Sequence, residues 1–335
     1  MSLKPVLARL AAGERLAESE AEAAFDTVMA GEATPAQIAG MLMAMRVRGE
    51  TVAELTGAVR AMQARMVAVD LREDAVDIVG TGGDMAGTLN ISTCSAFVVA
   101  GAGAPVAKHG NRALSSRSGA SDVLSALGVN TDVPFEQIPE VLRGAGICFL
   151  MAPRHHSALR HAAGPRMELA TRTIFNLLGP LTNPARVKRQ MTGAFSAQWL
   201  RPMAETLGRT GTRHAWLVHG QGLDELTIAG PSQVVELRDG VIREFEIAPE
   251  DAGLPRHPAE SLRGSTPDEN AEALIGVLRG EEGGYRDCVL LNAAAALVVA
   301  GKAPDLRSGA ALAAEAIASG AAMAALEKLR ALTKA

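Results

Sequence analysis

Residues 76–79, Val-Asp-Ile-Val, form a β-branched run that ends directly in Gly80-Thr81-Gly82-Gly83-Asp84, and an apolar helical stretch follows at 91–100. A second short apolar run, Pro105-Val106-Ala107, again stops ahead of glycine. Strand, glycine loop and helix repeated in this order indicate an α/β layer fold. Further strands are expected at 147–151, 191–195 and 215–219. Residues 234–237 and 241–247 flank Asp239-Gly240, a hairpin turn signal, so the central sheet is expected to be mixed and mainly parallel, with an antiparallel part.

Ahead of this series the pattern is helical. Apolar residues recur at three- and four-residue spacing over 21–30, 38–47 and 52–66, with Gly31 and Gly49 as punctuation. Thr34-Pro35 reads as a cap followed by a first-turn proline. Residues 1–70 are therefore expected to form a small all-helical domain. From Pro267 onward the chain is again helical and rich in alanine. Residues 164–179 are a candidate crossing between domains.

Composition narrows what such a fold can do. With 48% hydrophobic residues in 335, the chain buries a sizeable core and is not disordered. Lys and Arg number 33 against 37 Asp and Glu, a net charge of -4, so no global positive field holds nucleic acid or an anionic membrane. An anionic partner must be met by a local site. Cys94, Cys148 and Cys288 lie far apart among small or apolar residues and read as reduced, buried thiols, not a disulfide framework or zinc site. Residues 1–10 are interrupted by Lys4, Pro5 and Arg9, and the longest apolar run, 289–300, is too short to span a bilayer. A cytoplasmic location without a membrane partner is the expectation.

Five stretches can carry chemistry. Gly80 to Asp84 follows a strand, so its main-chain N–H groups can cradle a phosphate or simply make a turn; it lacks the pattern of a P-loop or a full dinucleotide fingerprint. Asn90-Ile91-Ser92-Thr93 opens the next helix and either caps it or adds phosphate and metal-shell contacts. Lys108-His109-Gly110-Asn111-Arg112, running on to Ser118-Gly119, is a second anion loop or a solvated charged one. Asp224-Glu225 lies in a glycine loop, where adjacent acids are either exposed or hold Mg²⁺ with help from substrate phosphates. His155, His156, Arg160, His161, Arg166 and Arg172 form a basic stretch whose default reading is a solvated helix face; the sharper one is an Arg gripping a substrate carboxylate.

Together these pieces resemble the anthranilate phosphoribosyltransferase family. The resemblance rests on GTGGD at 80–84, NIST at 90–93, KHGNR at 108–112, RTIFNLLGPLTNP at 172–184 and VHGQGLDEL at 218–226, in that family's order and spacing, and extends over nearly the whole chain. It implies a small helical domain, residues 1–70 joined by a segment near 160–185, and a large α/β domain from 71–159 and 186–335. It also implies a cleft between them and a homodimer. Carried over by motif, Gly80, Gly83, Asp84, Thr88, Asn90, Ile91, Ser92 and Thr93 line a site for phosphoribosyl pyrophosphate. Lys108, His109, Gly110, Asn111, Arg112, Ala113, Leu114, Ser115, Ser116 and Ala120 belong to the same site, with Lys108 and the 111–116 loop closing over the substrate. Ser92, Asp224 and Glu225 hold two Mg²⁺ ions per monomer, and Gly80, Asn111 and Arg166 meet anthranilate. Two departures from the family pattern, His156-Ser157-Ala158-Leu159 and Ala120, remove no charged group and bear on the shape of the anthranilate entrance.

The implied reaction is attack of the anthranilate amine on the anomeric carbon, with pyrophosphate leaving. Sequence assigns no general base; His109 and His156 are candidates for assistance. A pyrimidine nucleoside phosphorylase is the nearest rival, disfavoured by the acidic pair and the KHGNR loop. A nucleic-acid binder is disfavoured by the charge balance.

Overall fold

The computed structural model describes residues 2–112 and 117–334. The expected sites at Ala113, Leu114, Ser115 and Ser116 lie outside the described residues. Seven strands make one sheet: β1 (Val76–Gly80), β2 (Val106–Gly110), β3 (Ile147–Met151), β4 (Arg189–Gly193), β5 (His214–His219), β6 (Ser232–Arg238) and β7 (Val241–Ile247). Their order is β3-β2-β1-β4-β5-β6-β7; the first five are parallel, and β6 and β7 run antiparallel. The chain is therefore α/β with a mixed, mainly parallel sheet. The β6–β7 turn is made by Asp239 and Gly240, both at positive φ (48° and 82°), as a two-residue hairpin twisted to match its strands demands. β4 starts two residues earlier than its apolar run, at Arg189, because its register is set against β1, with Gly80 opposite Gly193.

β1 lies where the strand order reverses: the chain leaves it toward β2 and β3 on one side and returns as β4 on the other. In open α/β sheets the crevice outside the carboxyl ends at such a point is the ordinary ligand site. Gly80, Gly110 and Gly193 end the three strands around it.

Two cores flank the sheet. One gathers helices Ile91–Gly101, Gly284–Val299 and their neighbours on one face, including Trp216 and Val218 of β5. The other holds the N-terminal helices, Ile174 to Leu181, the helix Leu200–Arg209 and, from the same strand, Ala215 and Leu217. The period-2 alternation of a strand thus divides β5 between the two cores. The N-terminal helices are Lys4–Ala11, Glu18–Met29, Pro35–Arg48 and Val52–Arg65. The first is a helix that the interrupted apolar pattern of 1–10 conceals; Val6 and Leu10 bury one side of it. Thr34 caps the third as expected, accepting from the Gln37 N–H at 3.3 Å. All three cysteines are free and buried. Among the described residues no single helix is long and apolar enough to cross a membrane.

Candidate active site

A cleft of about 340 Å³ opens at the carboxyl ends of β1 and β2. It is lined by Gly80, Gly83, Asp84, Thr88, Asn90 to Thr93, Lys108 to Arg112, Ala120, His156, Arg166, Asp224 and Glu225, whereas His155, Arg160, His161 and Arg172 of the basic stretch do not line it. Motifs more than a hundred residues apart meet there because the loops that follow parallel strands all emerge at the same sheet edge.

The glycine loop is held open by neighbouring segments. Gly82 and Gly83 take positive φ (66° and 73°), which only glycine adopts at little cost. The Gly82 N–H donates to Asp224 Oδ2 at 2.6 Å, the Thr81 N–H to the Gly193 carbonyl at 2.9 Å, and the Asp224 N–H to Asp84 Oδ2 at 3.4 Å. Helix Ile91–Gly101 begins beside this loop, so its positive end faces the cleft. The Thr93 hydroxyl is buried and has no partner among the described residues, a donor free for a ligand oxygen.

Lys108 and His109 stand on opposite faces of β2, as successive strand residues must. Lys108 is thus part of a strand, 3% exposed, and not part of a closing loop. Its Nζ donates to the Ile78 carbonyl at 2.6 Å and to Ser92 Oγ at 3.4 Å. Burial lowers its pKa, while Asp77, Glu225 and Asp224 oppose that shift. Beneath it the fully buried Asp77 accepts from the His109 N–H at 3.0 Å and from Asn183 Nδ2 at 2.7 Å; burial raises its pKa to about 6.

The acidic pair is buried, not solvated. Asp224 and Glu225 are each 9% exposed, and the Ser92 N–H donates to Glu225 Oε1 at 3.1 Å. Burial, with repulsion from Asp84, pushes Asp224 up to about 7; burial, with repulsion from Asp224 and Asp84, pushes Glu225 up to about 8. The site gathers three carboxyl groups that Lys108 offsets only in part, so its chemistry suits a divalent cation. Among the described residues no three His, Cys, Asp or Glu side chains converge on one point. Such a donor set suits Mg²⁺, which keeps waters and takes further ligands from substrate phosphates.

On the other face of β2 the wall changes character. His109 Nδ1 lies 3.1 Å from the Gly179 carbonyl, its Nε2 is buried without a partner among the described residues, and its ring meets that of His156 edge to face at 5.2 Å. Burial holds both imidazoles neutral: His109 falls well below the usual range and His156 to about 4. This corrects the solvated reading of the basic stretch for His155 and His156, only 1% and 3% exposed, whereas Arg160 is exposed. His155 is turned away to the Val67 carbonyl, 2.7 Å from its Nδ1. Arg166, from helix Arg160–Leu169, lies with its guanidinium carbon 5.2 Å from the centre of the Phe175 ring, half-buried, with no ion pair among the described residues. An Arg at a cleft wall without an acid to balance it has the chemistry to receive an external carboxylate.

Some lining residues carry no charge and escape a search for chemistry: Met62, Phe175, Asn176, Leu178, Gly179 and Pro180. The 172–184 stretch contains most of them, and its Asn183 has a role that only the fold reveals, clamping Asp77 and the Ala107 carbonyl (2.9 Å).

A helical bundle packed on an α/β sheet, with the cleft at the switch point of that sheet, is the architecture of a glycosyltransferase class. The chain matches that class in both parts, the helical bundle domain of a glycosyl transferase family at residues 4–66 and the a/b domain of such a family at 72–323. Within it, the chain belongs to the anthranilate phosphoribosyltransferase family. It is 58% identical over 334 residues to the anthranilate phosphoribosyltransferase of Rhodopseudomonas palustris (strain BisA53), covering 99% of this chain and 98% of that one. The crystal structure of the Thermus thermophilus enzyme of that name superposes with a TM-score of 0.93 at 45% identity, over 98% of this chain and 99% of that chain. The Saccharomyces cerevisiae enzyme in complex with PRPP and Mg superposes with 0.90 at 27% identity, over 99% and 97%.

Proposed function

We propose that the protein transfers the 5-phosphoribosyl group from phosphoribosyl pyrophosphate (PRPP) to the amine of anthranilate, giving N-(5-phosphoribosyl)anthranilate and pyrophosphate, a step of tryptophan biosynthesis. The observation that carries this reading is the two-sided cleft. One side offers buried donors and a paired acid for an anionic, metal-bearing donor substrate; the other offers Arg166 beside Phe175 for a flat carboxylate.

The proposed division of labour follows the geometry. Gly80, Gly83, Asp84, Thr88 and Asn90 to Thr93 receive PRPP, with main-chain N–H groups, the helix end and the Thr93 hydroxyl as donors. Lys108 supplies a buried positive charge under that side. Ser92, Asp224 and Glu225 hold Mg²⁺, two ions per monomer. Held there, Mg²⁺ would supply positive charge to offset the negative charge developing on the pyrophosphate leaving group. Gly80, Asn111 and Arg166 receive anthranilate, Arg166 through the carboxylate, so that the amine is turned toward the anomeric carbon. A neutral aromatic amine already carries the attacking lone pair, so orientation supplies much of the rate. The surplus proton leaves late, and the neutral rings of His109 and His156 are acceptors on that side of the cleft.

The two domains of this reading are residues 1–70 with the segment near 160–185, and 71–159 with 186–335. A cytoplasmic homodimer completes it, supported by likeness to the family; sedimentation velocity on the purified chain tests the dimer. The activity itself is tested by mixing protein, anthranilate, PRPP and Mg²⁺ and following anthranilate fluorescence. Loss of fluorescence that requires all four components is expected; none under metal-replete conditions would refute the reading.

A further inference from the structure

Asn90 stands at the N-terminal end of helix Ile91–Gly101 but does not cap it with its side chain. Its carboxamide is engaged sideways. Oδ1 accepts from Ser118 Oγ at 3.1 Å and from Asn270 Nδ2 at 3.0 Å, and Nδ2 donates to the Ser118 carbonyl at 3.3 Å. The main-chain carbonyl of Asn90 accepts from the Tyr285 hydroxyl at 3.3 Å. Two residues from the far part of the chain, neither of them lining the cleft, thus hold one that does.

The orientation of these amides is dictated by the backbone. Asn270 Oδ1 accepts from the Ser265 N–H at 2.8 Å, and a main-chain N–H only donates. Asn270 must therefore turn its oxygen to Ser265 and its NH2 to Asn90. Asn90 must in turn show its oxygen to Asn270 and its own NH2 to the Ser118 carbonyl. One main-chain donor sets the polarity of the whole series, and Asn270, 1% exposed in helix Pro267–Leu278, has no room to choose otherwise.

The same part of the chain also braces the end of the glycine loop. The Leu89 N–H donates to the Leu262 carbonyl at 2.8 Å, and the Gly264 N–H to the Gly87 carbonyl at 2.8 Å. Segment 262–270 therefore sets where Gly87 to Asn90 run, and through Asn90 it fixes Ser118 on the opposite rim.

We propose that Asn270 is a positioning residue for the donor substrate: through Asn90 it fixes the first turn of helix Ile91–Gly101 and Ser118 in the arrangement that receives PRPP. This rests on the phosphoribosyl-transfer reading above. A purely structural Asn270 would affect stability and both substrates alike, whereas a positioning one acts on PRPP alone.

The test compares wild type, Asn270→Ala, Asn270→Asp, Asn90→Ala and the double variant Asn90→Ala/Asn270→Ala, using thermal melting and steady-state kinetics with PRPP, anthranilate and Mg²⁺. Loss of the Asn270 donor is expected to raise KM for PRPP about tenfold, the worth of one ordinary buried hydrogen bond. KM for anthranilate should stay within about twofold, and kcat should fall less than KM rises. The double variant should be no worse than Asn90→Ala alone, because both changes break the same link. Asn270→Asp keeps the bond to Ser265 and the side-chain shape, so it carries the test if the alanine variant does not fold. An unchanged KM for PRPP, an equal rise in both KM values or additive effects would each overturn the proposal. Failure of both Asn270 variants to fold would also overturn it, assigning Asn270 to stability. A wild-type protein without turnover would remove the functional reading and this proposal together, whereas an active wild type with unaltered Asn270 variants defeats the proposal alone.

Discussion

The guanidinium of Arg172 donates to the carbonyl of Gly83, and its central carbon lies over the Phe195 ring, 4.3 Å from the ring centre. Phe195 is itself anchored, its N–H donating to Thr81 Oγ1 at 2.9 Å. A side chain from the segment that follows helix Arg160–Leu169 therefore holds the glycine loop directly at Gly83 and packs on Phe195, which is bonded to Thr81 of the same loop. Turning the Gly83 carbonyl outward to Arg172 is one way to aim neighbouring N–H groups inward, which an anion cradle needs.

Arg172→Ala is expected to release that carbonyl and raise KM for PRPP about tenfold, in line with a hydrogen bond made by a charged donor. Arg172→Lys should recover little, because an ammonium lacks the planar face that stacks on Phe195. Steady-state kinetics at saturating anthranilate read this directly; a lysine variant with wild-type KM would remove the stacking argument.

The acidic pair makes magnesium binding depend on pH. Asp224 and Glu225 rise from ordinary values of 3.8 and 4.5 to about 7 and about 8, so in the metal-free protein the folded state binds protons more tightly than the unfolded chain. Metal-free stability should therefore be greatest near the acid end of that interval and decline as pH climbs from about 4 through 8. A cation must displace those protons, so apparent Mg²⁺ affinity should rise by at least about tenfold between pH 6.5 and 8.5. Thermal melts with and without Mg²⁺ across this range check it; a Mg²⁺-induced shift that shrinks with rising pH would contradict the assignment. Glu225→Gln should flatten the dependence and impair metal-dependent turnover.

Local signals made much of the fold legible. The β-branched run of β1 and the turn Asp239-Gly240 declare themselves within a few residues, because strand and turn chemistry is local. The glycine loops and Asp224-Glu225 were visible as types suited to anions and cations, and the parallel sheet is what brings them to one edge. What sequence did not display were partnerships across long separations. Nothing near Asn90 points to Asn270, nothing near Asp77 points to Asn183, and the burial of His155 and His156 is imposed by packing against segments far away in the chain. The charge of Lys108 suggested a loop, whereas strand pairing draws it into the core.

Arg166→Ala is expected to raise KM for anthranilate by about tenfold or more while leaving KM for PRPP near its wild-type value, since a charged hydrogen-bonded pair with the carboxylate is lost on one side of the cleft only. Equal anthranilate affinity in the variant, measured by fluorescence titration, would remove Arg166 from that role. Protonation of His156 lies near pH 4, so the acid limb of activity between pH 5 and 7 should be unaffected by His156→Gln.

Gly193 is the position where the site tolerates least change. A Cβ built there would sit 1.4 Å from the Asp224 carbonyl oxygen and 2.2 Å from its carbon, so the backbone bearing the acidic pair would have to move. Gly193→Ala should destabilise the protein by about 1–3 kcal/mol, as overpacking generally does, and should cut Mg²⁺-dependent turnover by more than about tenfold. Gly40→Ala is the matched control: a Cβ there would meet Leu7 Cδ2 at an ordinary 3.6 Å, and the position is exposed inside helix Pro35–Arg48. Alanine there should leave the melting temperature unchanged or raise it, through helix propensity worth up to about 1 kcal/mol. If the two variants melt and turn over alike, the close approach of β4 to Asp224 does not shape the site.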